Sequence, residues 1–282
     1  MNVLTTKGDV LQFRSKLKEN KADLGLVPTM GALHEGHLEL VRRACAENEV
    51  VMVSVFVNPT QFNNPDDLEN YPGSLDEDLE KLKTLSCDIH VFAPDVSEMY
   101  GSDISARHYD FKGMDTVMEG AFRPGHFDGV GTIVESLLGL IRPQRAYFGE
   151  KDYQQLQIIR QLTHQQKIPV EIIPCPIIRE PDGLAMSSRN RLLPKRLRKE
   201  AGFIFQTLQK GKTLFGTKSA SSVTDFIRGA FEDHPDFKLE YIEIADSETL
   251  QPVSRKRNNK KYRAFIAAYL GEVRLIDNIA LN

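Results

Sequence analysis

The 282-residue sequence has no tryptophan, three cysteines, no long apolar run and almost no net charge. The missing tryptophan excludes nothing. Cys45, Cys87 and Cys175 are odd in number, far apart and never in a CxxC pair. That argues against a disulfide framework or a cysteine-built zinc site, and for buried free thiols in a reducing cytoplasm. No apolar stretch approaches the ~18 residues that cross a bilayer. The opening MNVLTTKGDV lacks the apolar centre of a signal peptide, so the chain reads as soluble and cytoplasmic, with no membrane partner. Lys and Arg number 36 against 39 Asp and Glu, a net charge of −3, which supplies no general attraction for nucleic acid. What is present is a globular composition, with 41% hydrophobic residues and 19 glycines. At about 150 residues per domain, the length suggests two domains.

The first part alternates strand and helix patterns. Residues 24–27 are short and apolar, Pro28, Thr29, Met30 and Gly31 break the run, and a helical period follows over 37–47. Residues 50–57, VVMVSVFV, suit a strand buried on both faces of a parallel sheet. Further helices are expected over 74–86, 130–141 and 153–166, with strands over 89–92, 146–148 and 170–173. This alternation predicts an α/β fold with a Rossmann-like, doubly wound parallel sheet over 1–178. Beyond it, helices at 195–214 and 222–232 precede strands at 239–244, 264–269 and 273–276. That is a smaller α+β domain over 179–282. The basic run RKRNNKK at 255–261 reads as a solvated hairpin loop rather than a nucleic-acid patch.

Three clusters carry chemistry. The first, His34-Glu35-Gly36-His37, follows a turn of small residues and opens a helix, an arrangement that suits phosphate. Its histidines are three apart, so it is not the HExxH zinc motif. Imidazoles there can stabilise charge on a leaving pyrophosphate. The second is Gly149-Glu150-Lys151-Asp152, between a strand and a helix, where Lys151 supplies a point charge for phosphates. The third, Met186-Ser187-Ser188-Arg189, offers two hydroxyls and a guanidinium that suit a closing phosphate clamp. Gly211-Lys212-Thr213 resembles the end of a P-loop. The required earlier glycine is replaced by Gln206, and the tripeptide sits in a helical pattern, so it is set aside.

PTMGALHEGH (28–37), VFVNPTQF (55–62), EGAFRPGHFDGV (119–130), FGEKDYQQL (148–156) and DGLAMSSRN (182–190) closely resemble the pantothenate synthetase family of the HxGH nucleotidyltransferase superfamily. The likeness runs to Arg274-Leu275-Ile276-Asp277-Asn278. It implies an ATP-dependent ligase joining pantoate to β-alanine, with release of AMP and pyrophosphate. It further implies Mg²⁺, a homodimer and a C-terminal domain acting as a lid. By resemblance, the ATP contacts are Met30, Gly31, Ala32, Leu33, His34, Glu35, Gly36, His37, Gly149, Glu150, Lys151, Asp152, Ile178, Met186, Ser187, Ser188 and Arg189. His37 is the expected proton donor, with His34 and Lys151 beside it in catalysis, while Gln61 and Gln155 are expected to hold pantoate. Where the family has a basic residue after Tyr-Pro, this chain has Gly73, which leaves in doubt any salt bridge made there.

The residue types agree with that chemistry. A carboxylate is a poor electrophile, so pantoate must first attack the α-phosphate of ATP, giving an acyl adenylate that the β-alanine amine then opens. No covalent nucleophile is needed; the protein positions reactants and stabilises charge. Two other readings share parts of the pattern: another HxGH nucleotidyltransferase, and a nucleotide-binding module without turnover. The acidic run Asp76-Glu77-Asp78 reads as a solvated helix start, with contact to the metal as the alternative.

Overall fold

The computed structural model of the protein describes residues 1–69 and 71–282. The chain forms two compact units. Met1–Lys112, Arg123–Glu150 and Gln155–Pro176 make the first; Gly113–Phe122, Lys151–Gln154 and Ile177–Asn282 make the second. The sequence suggests one cut, at 178. The structure has in addition two short excursions, at 113–122 and 151–154, that group with the C-terminal part. Side-chain bonding explains the grouping: the Gln154 amide donates to the carbonyls of Met114 and Val117, at 2.7 and 2.8 Å, and accepts from the Glu119 N–H at 3.1 Å. None of these long-range partners is visible in a periodicity.

The elements run β1 (Val3–Leu4), α1 (Lys7–Asn20), β2 (Leu24–Thr29), α2 (Glu35–Glu47), β3 (Val50–Val55), α3 (Pro65–Glu69), α4 (Leu75–Lys83), β4 (Ile89–Phe92) and α5 (Val96–Tyr100). Next come α6 (Glu119–Phe122), α7 (His126–Ile141), β5 (Arg145–Gly149), α8 (Tyr153–Gln165) and β6 (Glu171–Cys175). The first unit holds the six strands in the order β1-β4-β3-β2-β5-β6, all pairs parallel. The order reverses between β2 and β5, which pair through Gly25 with Arg145 and Leu26 with Ala146. Ligands of such sheets bind outside the carboxyl ends of the strands at this reversal. Those ends lead into Met30 and into Glu150. β3 is apolar except for Ser54 because both its faces are covered, and Val51, Met52 and Val53 are fully buried. α1 escapes a periodicity reading because Val10 alone is buried along its 14 residues; Thr6 and Asp9 instead hold its start with a reciprocal capping box.

The expectation of three free thiols is corrected. Cys45 of α2 and Cys87, just before β4, form a disulfide with Cα atoms 6.0 Å apart. Their 42-residue separation says nothing of the proximity that the parallel sheet creates. Cys175 is a buried free thiol, as expected, and burial pushes its pKa up to about 11.

The second unit adds α9 (Lys195–Arg198), α10 (Phe203–Phe215), α11 (Ala220–Glu232), β7 (Phe237–Asp246), β8 (Tyr262–Leu270) and β9 (Val273–Ala280). The strands form one antiparallel sheet, β7-β8-β9. The helix expected over 195–214 is broken at 199–202. Gly202 lies so close to Asp182 that a Cβ would stand 2.6 Å from the Asp182 carbonyl oxygen. Gly211 sits inside α10 against Ile227 and Val223, a helix-packing glycine rather than part of a phosphate loop. The basic run at 255–261 is largely exposed between β7 and β8. No helix among the described residues is long and apolar enough to cross a membrane.

Candidate active site

The turn after β2 is tight and conformationally costly. Gly31 and Ala32 both have positive φ, +79° and +50°, a left-handed pair in which Ala32 is the strained member. Four bonds hold it. Thr29 Oγ1 donates to the Ser54 carbonyl at 2.7 Å and accepts from the Gly31 N–H at 3.2 Å, and the Phe56 N–H donates to the Thr29 carbonyl. The Leu33 N–H donates to Asp78 Oδ1 at 2.7 Å. Asp78 therefore contradicts its reading as part of a solvated helix start: it is 1% exposed and turned under the loop. Its other oxygen is buried without a hydrogen-bond partner, beside Gly31, where a Cβ would approach to 3.1 Å. Lys81 stands 3.7 Å from Oδ1 as its ion partner.

The turn delivers His34 as the N-cap of α2, in extended conformation. The His34 N–H donates to His37 Nδ1 at 3.4 Å, and the two rings lie 4.0 Å apart, tilted by 34°. With Nδ1 as acceptor, a neutral His37 carries its proton on Nε2. Glu35 is exposed and paired with Arg42 at 2.5 Å, while Gly36 is buried in the first turn. Gly73 faces this turn as well: a Cβ there would lie 3.8 Å from the Ala32 amide nitrogen, so a side chain at 73 would rest on the turn.

Gln61 lies in a short 3₁₀ turn, Pro59–Gln61, and is buried. Its Nε2 contacts Met30 Sδ at 2.9 Å, joining it to the first turn, and its Oε1 accepts from Asn58 Nδ2 at 3.1 Å. His126 Nδ1 and Arg123 hold the Gln61 carbonyl at 2.7 and 3.2 Å. Asn58 is itself held by the Gly129 carbonyl and by the hydroxyls of Tyr100 and Thr60. Burial raises the Tyr100 hydroxyl above its ordinary value, against the lowering effect of its bonds to Thr60 and Asn58, so it stays a neutral donor. Gly129 is obligatory in this packing, since a Cβ would stand 2.3 Å from the Thr60 carbonyl oxygen. Gln155, the other expected pantoate ligand, is half-buried on α8.

In the second unit, Lys151 follows Gly149 and Glu150 in a 3₁₀ turn, with its Nζ 3.7 Å from Asp152 Oδ1. The Ile178 carbonyl accepts from the Met186 N–H at 2.9 Å, and Arg179 bridges Ala185, so Ile178 and the 186–189 loop form one hairpin. Ser187 Oγ accepts from the Arg189 N–H at 3.3 Å as an N-cap; its own proton is left to donate. Ser188 is buried.

Each expected residue thus lies on a turn or helix start within its own unit, and in the first unit Met30 and Gln61 are in direct contact. Asn58, Tyr100 and His126 were not assigned roles by the residue patterns, and Asp78 was read only as part of a solvated helix start, with metal contact as the alternative. An Asn two residues before Thr60 or an Asp in an acidic run carries no signal until its partners are known.

A family model described as Pantoate-beta-alanine ligase matches residues 2–280. The chain is 54% identical over 282 residues, the whole of both chains, to a pantothenate synthetase of Christiangramia forsetii. It is 48% identical over 282 residues, again the whole of both, to one of Flavobacterium psychrophilum. Among solved structures it is similar to pantothenate synthetase of Thermus thermophilus, with TM-score 0.91 and 41% identity over 100% of this chain and 99% of that one. It is also similar to pantoate-beta-alanine ligase of Francisella tularensis complexed with beta-gamma ATP and beta-alanine, with TM-score 0.82 and 38% identity over 100% and 98%.

Proposed function

This chain belongs to the pantoate–β-alanine ligase family and is a ligase of that kind, and from that premise we propose that it condenses pantoate with β-alanine through a pantoyl adenylate, consuming ATP and releasing AMP and pyrophosphate. The observation that carries the proposal is the His34–His37 turn. A backbone N–H on His37 Nδ1 places the proton of the neutral ring on Nε2, the tautomer that a donor to a leaving pyrophosphate oxygen requires. His34 and the residues from Met30 to Gly36 bind the nucleotide phosphates. Gly149, Glu150, Lys151, Asp152, Ile178, Met186, Ser187, Ser188 and Arg189 supply the remaining nucleotide contacts, with Lys151 as a charge for the phosphates. Gln61, fixed through Asn58 and its own carbonyl, and Gln155 hold pantoate. Amides accept and donate to a hydroxy acid without offering a competing nucleophile.

In this reading the ion is Mg²⁺, which would neutralise the phosphates of ATP and screen the charge that pantoate's carboxylate must approach. No group of three or more His, Cys, Asp or Glu side chains poised for a metal occurs among the described residues. Mg²⁺ held chiefly by phosphates and water needs one or two carboxylates, and the unpartnered Asp78 Oδ2 beside Gly31 fits that demand. The same family reading carries a homodimer working in the cytoplasm, with the C-terminal unit as a lid.

Labelled pyrophosphate should exchange into ATP when pantoate is present and β-alanine absent. His37→Ala should slow this exchange by on the order of 3 kcal/mol, by analogy with loss of one oxyanion donor. Attack of β-alanine on preformed pantoyl adenylate should be much less affected, because pyrophosphate has already left. Exchange that requires β-alanine refutes the two-step course, and equal slowing of both steps refutes the role given to His37.

A further inference from the structure

The second unit contains a buried polar cluster that the reading so far leaves without a role. Asp277 and Asn278 lie in β9, with Asp277 4% and Asn278 2% exposed. Arg179 grips Asp277 with two nitrogens, Nη1 to Oδ2 at 2.6 Å and Nη2 to Oδ1 at 2.9 Å, and Nη1 also donates to the Gly183 carbonyl at 3.0 Å. The Arg179 guanidinium is stacked on the Phe205 ring at 3.8 Å. The Asn278 side chain is engaged at both ends: its Nδ2 donates to the Lys151 carbonyl at 2.8 Å, and its Oδ1 accepts from Arg263. Arg263 in turn lies over the Tyr153 ring at 3.9 Å, two residues beyond Lys151.

This is a costly arrangement for mere stability. Two guanidiniums, a carboxylate and an amide are taken from water, and buried ionic clusters of this kind seldom outweigh an apolar packing of the same volume. What the cluster does is geometric. Through Asn278 it fixes the backbone of Lys151; through Asp277 it fixes Arg179, the neighbour of Ile178 and bridge partner of Ala185. One short stretch of β9 therefore ties down the Lys151 turn and the hairpin that bears Met186, Ser187, Ser188 and Arg189.

We infer that Asp277 and Asn278 are positioning residues, which set Lys151 and the 178–189 hairpin for the phosphates and act on the reaction only through them. The inference rests on the role proposed above for Lys151. A side chain with four rotatable bonds aims its charge only as well as its backbone is held, and misplacement by about 1 Å costs up to 100-fold in rate.

The test is a double-variant cycle on the full-length enzyme, with pyrophosphate exchange as the activity and thermal unfolding measured alongside. Asn278→Asp keeps the shape and the acceptor for Arg263 but removes the donor to the Lys151 carbonyl. It should slow exchange at least tenfold, chiefly in kcat. Combined with Lys151→Ala, it should cost no further activity, within twofold of Lys151→Ala alone. A loss that multiplies with that of Lys151→Ala means Asn278 acts elsewhere, and overturns the inference while leaving the Lys151 role intact. Lys151→Ala with wild-type exchange overturns the Lys151 role itself, and the inference with it. Should Asn278→Asp fail to fold, Asn278→Ala also removes the donor to the Lys151 carbonyl and is subject to the same cycle with the same outcomes.

Discussion

Replacing Asp78 tests whether a buried carboxylate is what keeps the nucleotide turn in its left-handed form. Asp78→Ala leaves the Leu33 N–H, in a fully buried residue, without its acceptor at 2.7 Å. An orphaned buried donor costs about 1–3 kcal/mol. Removing a carboxylate that has one hydrogen bond and an ion partner at 3.7 Å recovers part of its desolvation. A net loss of about 2 kcal/mol follows, which at about 2–4 °C per kcal/mol for larger domains lowers the unfolding midpoint by about 4–8 °C. Asp78→Asn retains an acceptor for Leu33 and should lose about half as much. What it does lose is the ion partner of Lys81, whose Nζ is buried. Scanning calorimetry without ATP or Mg²⁺ isolates this term from any contact with the metal. Pyrophosphate exchange should fall about 10–100-fold in the Ala variant, since the strained Gly31–Ala32 pair relaxes and carries His34 and His37 with it. If Asp78→Ala unfolds at the wild-type midpoint and exchanges at the wild-type rate, the carboxylate does not hold the turn.

Gly129→Ala forces a Cβ to within 2.3 Å of the Thr60 carbonyl oxygen, about 1 Å inside contact, so α7 and the 3₁₀ turn must part. This overpacking should cost about 1–3 kcal/mol of stability and raise KM for pantoate far more than KM for ATP; an unchanged pantoate KM would separate Gln61 from this packing. Glu243 has its pKa raised by burial, with Arg228 pulling the other way. A carboxyl whose folded pKa exceeds its unfolded value contributes stability below the unfolded value and loses it as pH rises through the folded one. Glu243→Gln should therefore unfold at a higher temperature than wild type at pH 7, with the gap closing as pH drops below the ordinary carboxylate value. A gap that is constant with pH would assign the effect to packing instead.

Much of the layout is legible in the sequence. The β-branched run beginning at Val50 could only be a strand covered on both faces, and β4 falls on the same residues, Ile89 to Phe92, that its pattern marks. His34 and His37, the Lys151 turn and the Ser187–Ser188 loop stood out because each is a local arrangement, a few residues whose spacing already dictates a turn and a helix start. α1 was invisible for the complementary reason: it buries Val10 alone and owes its start to a capping box.

Local conformations, and the chemistry that adjacent residues can share, were thus written in the order of residues alone. Long-range packing supplied the rest. It joined Cys45 to Cys87, turned Asp78 from a surface acid into the acceptor for Leu33, and placed Asn278 on the Lys151 carbonyl across 127 residues of chain. One cause is common to all three. A polar group's role follows from which partner meets it once water is excluded, and that partner comes from a distant segment whose position depends on strand order and packing, which local spacing does not encode.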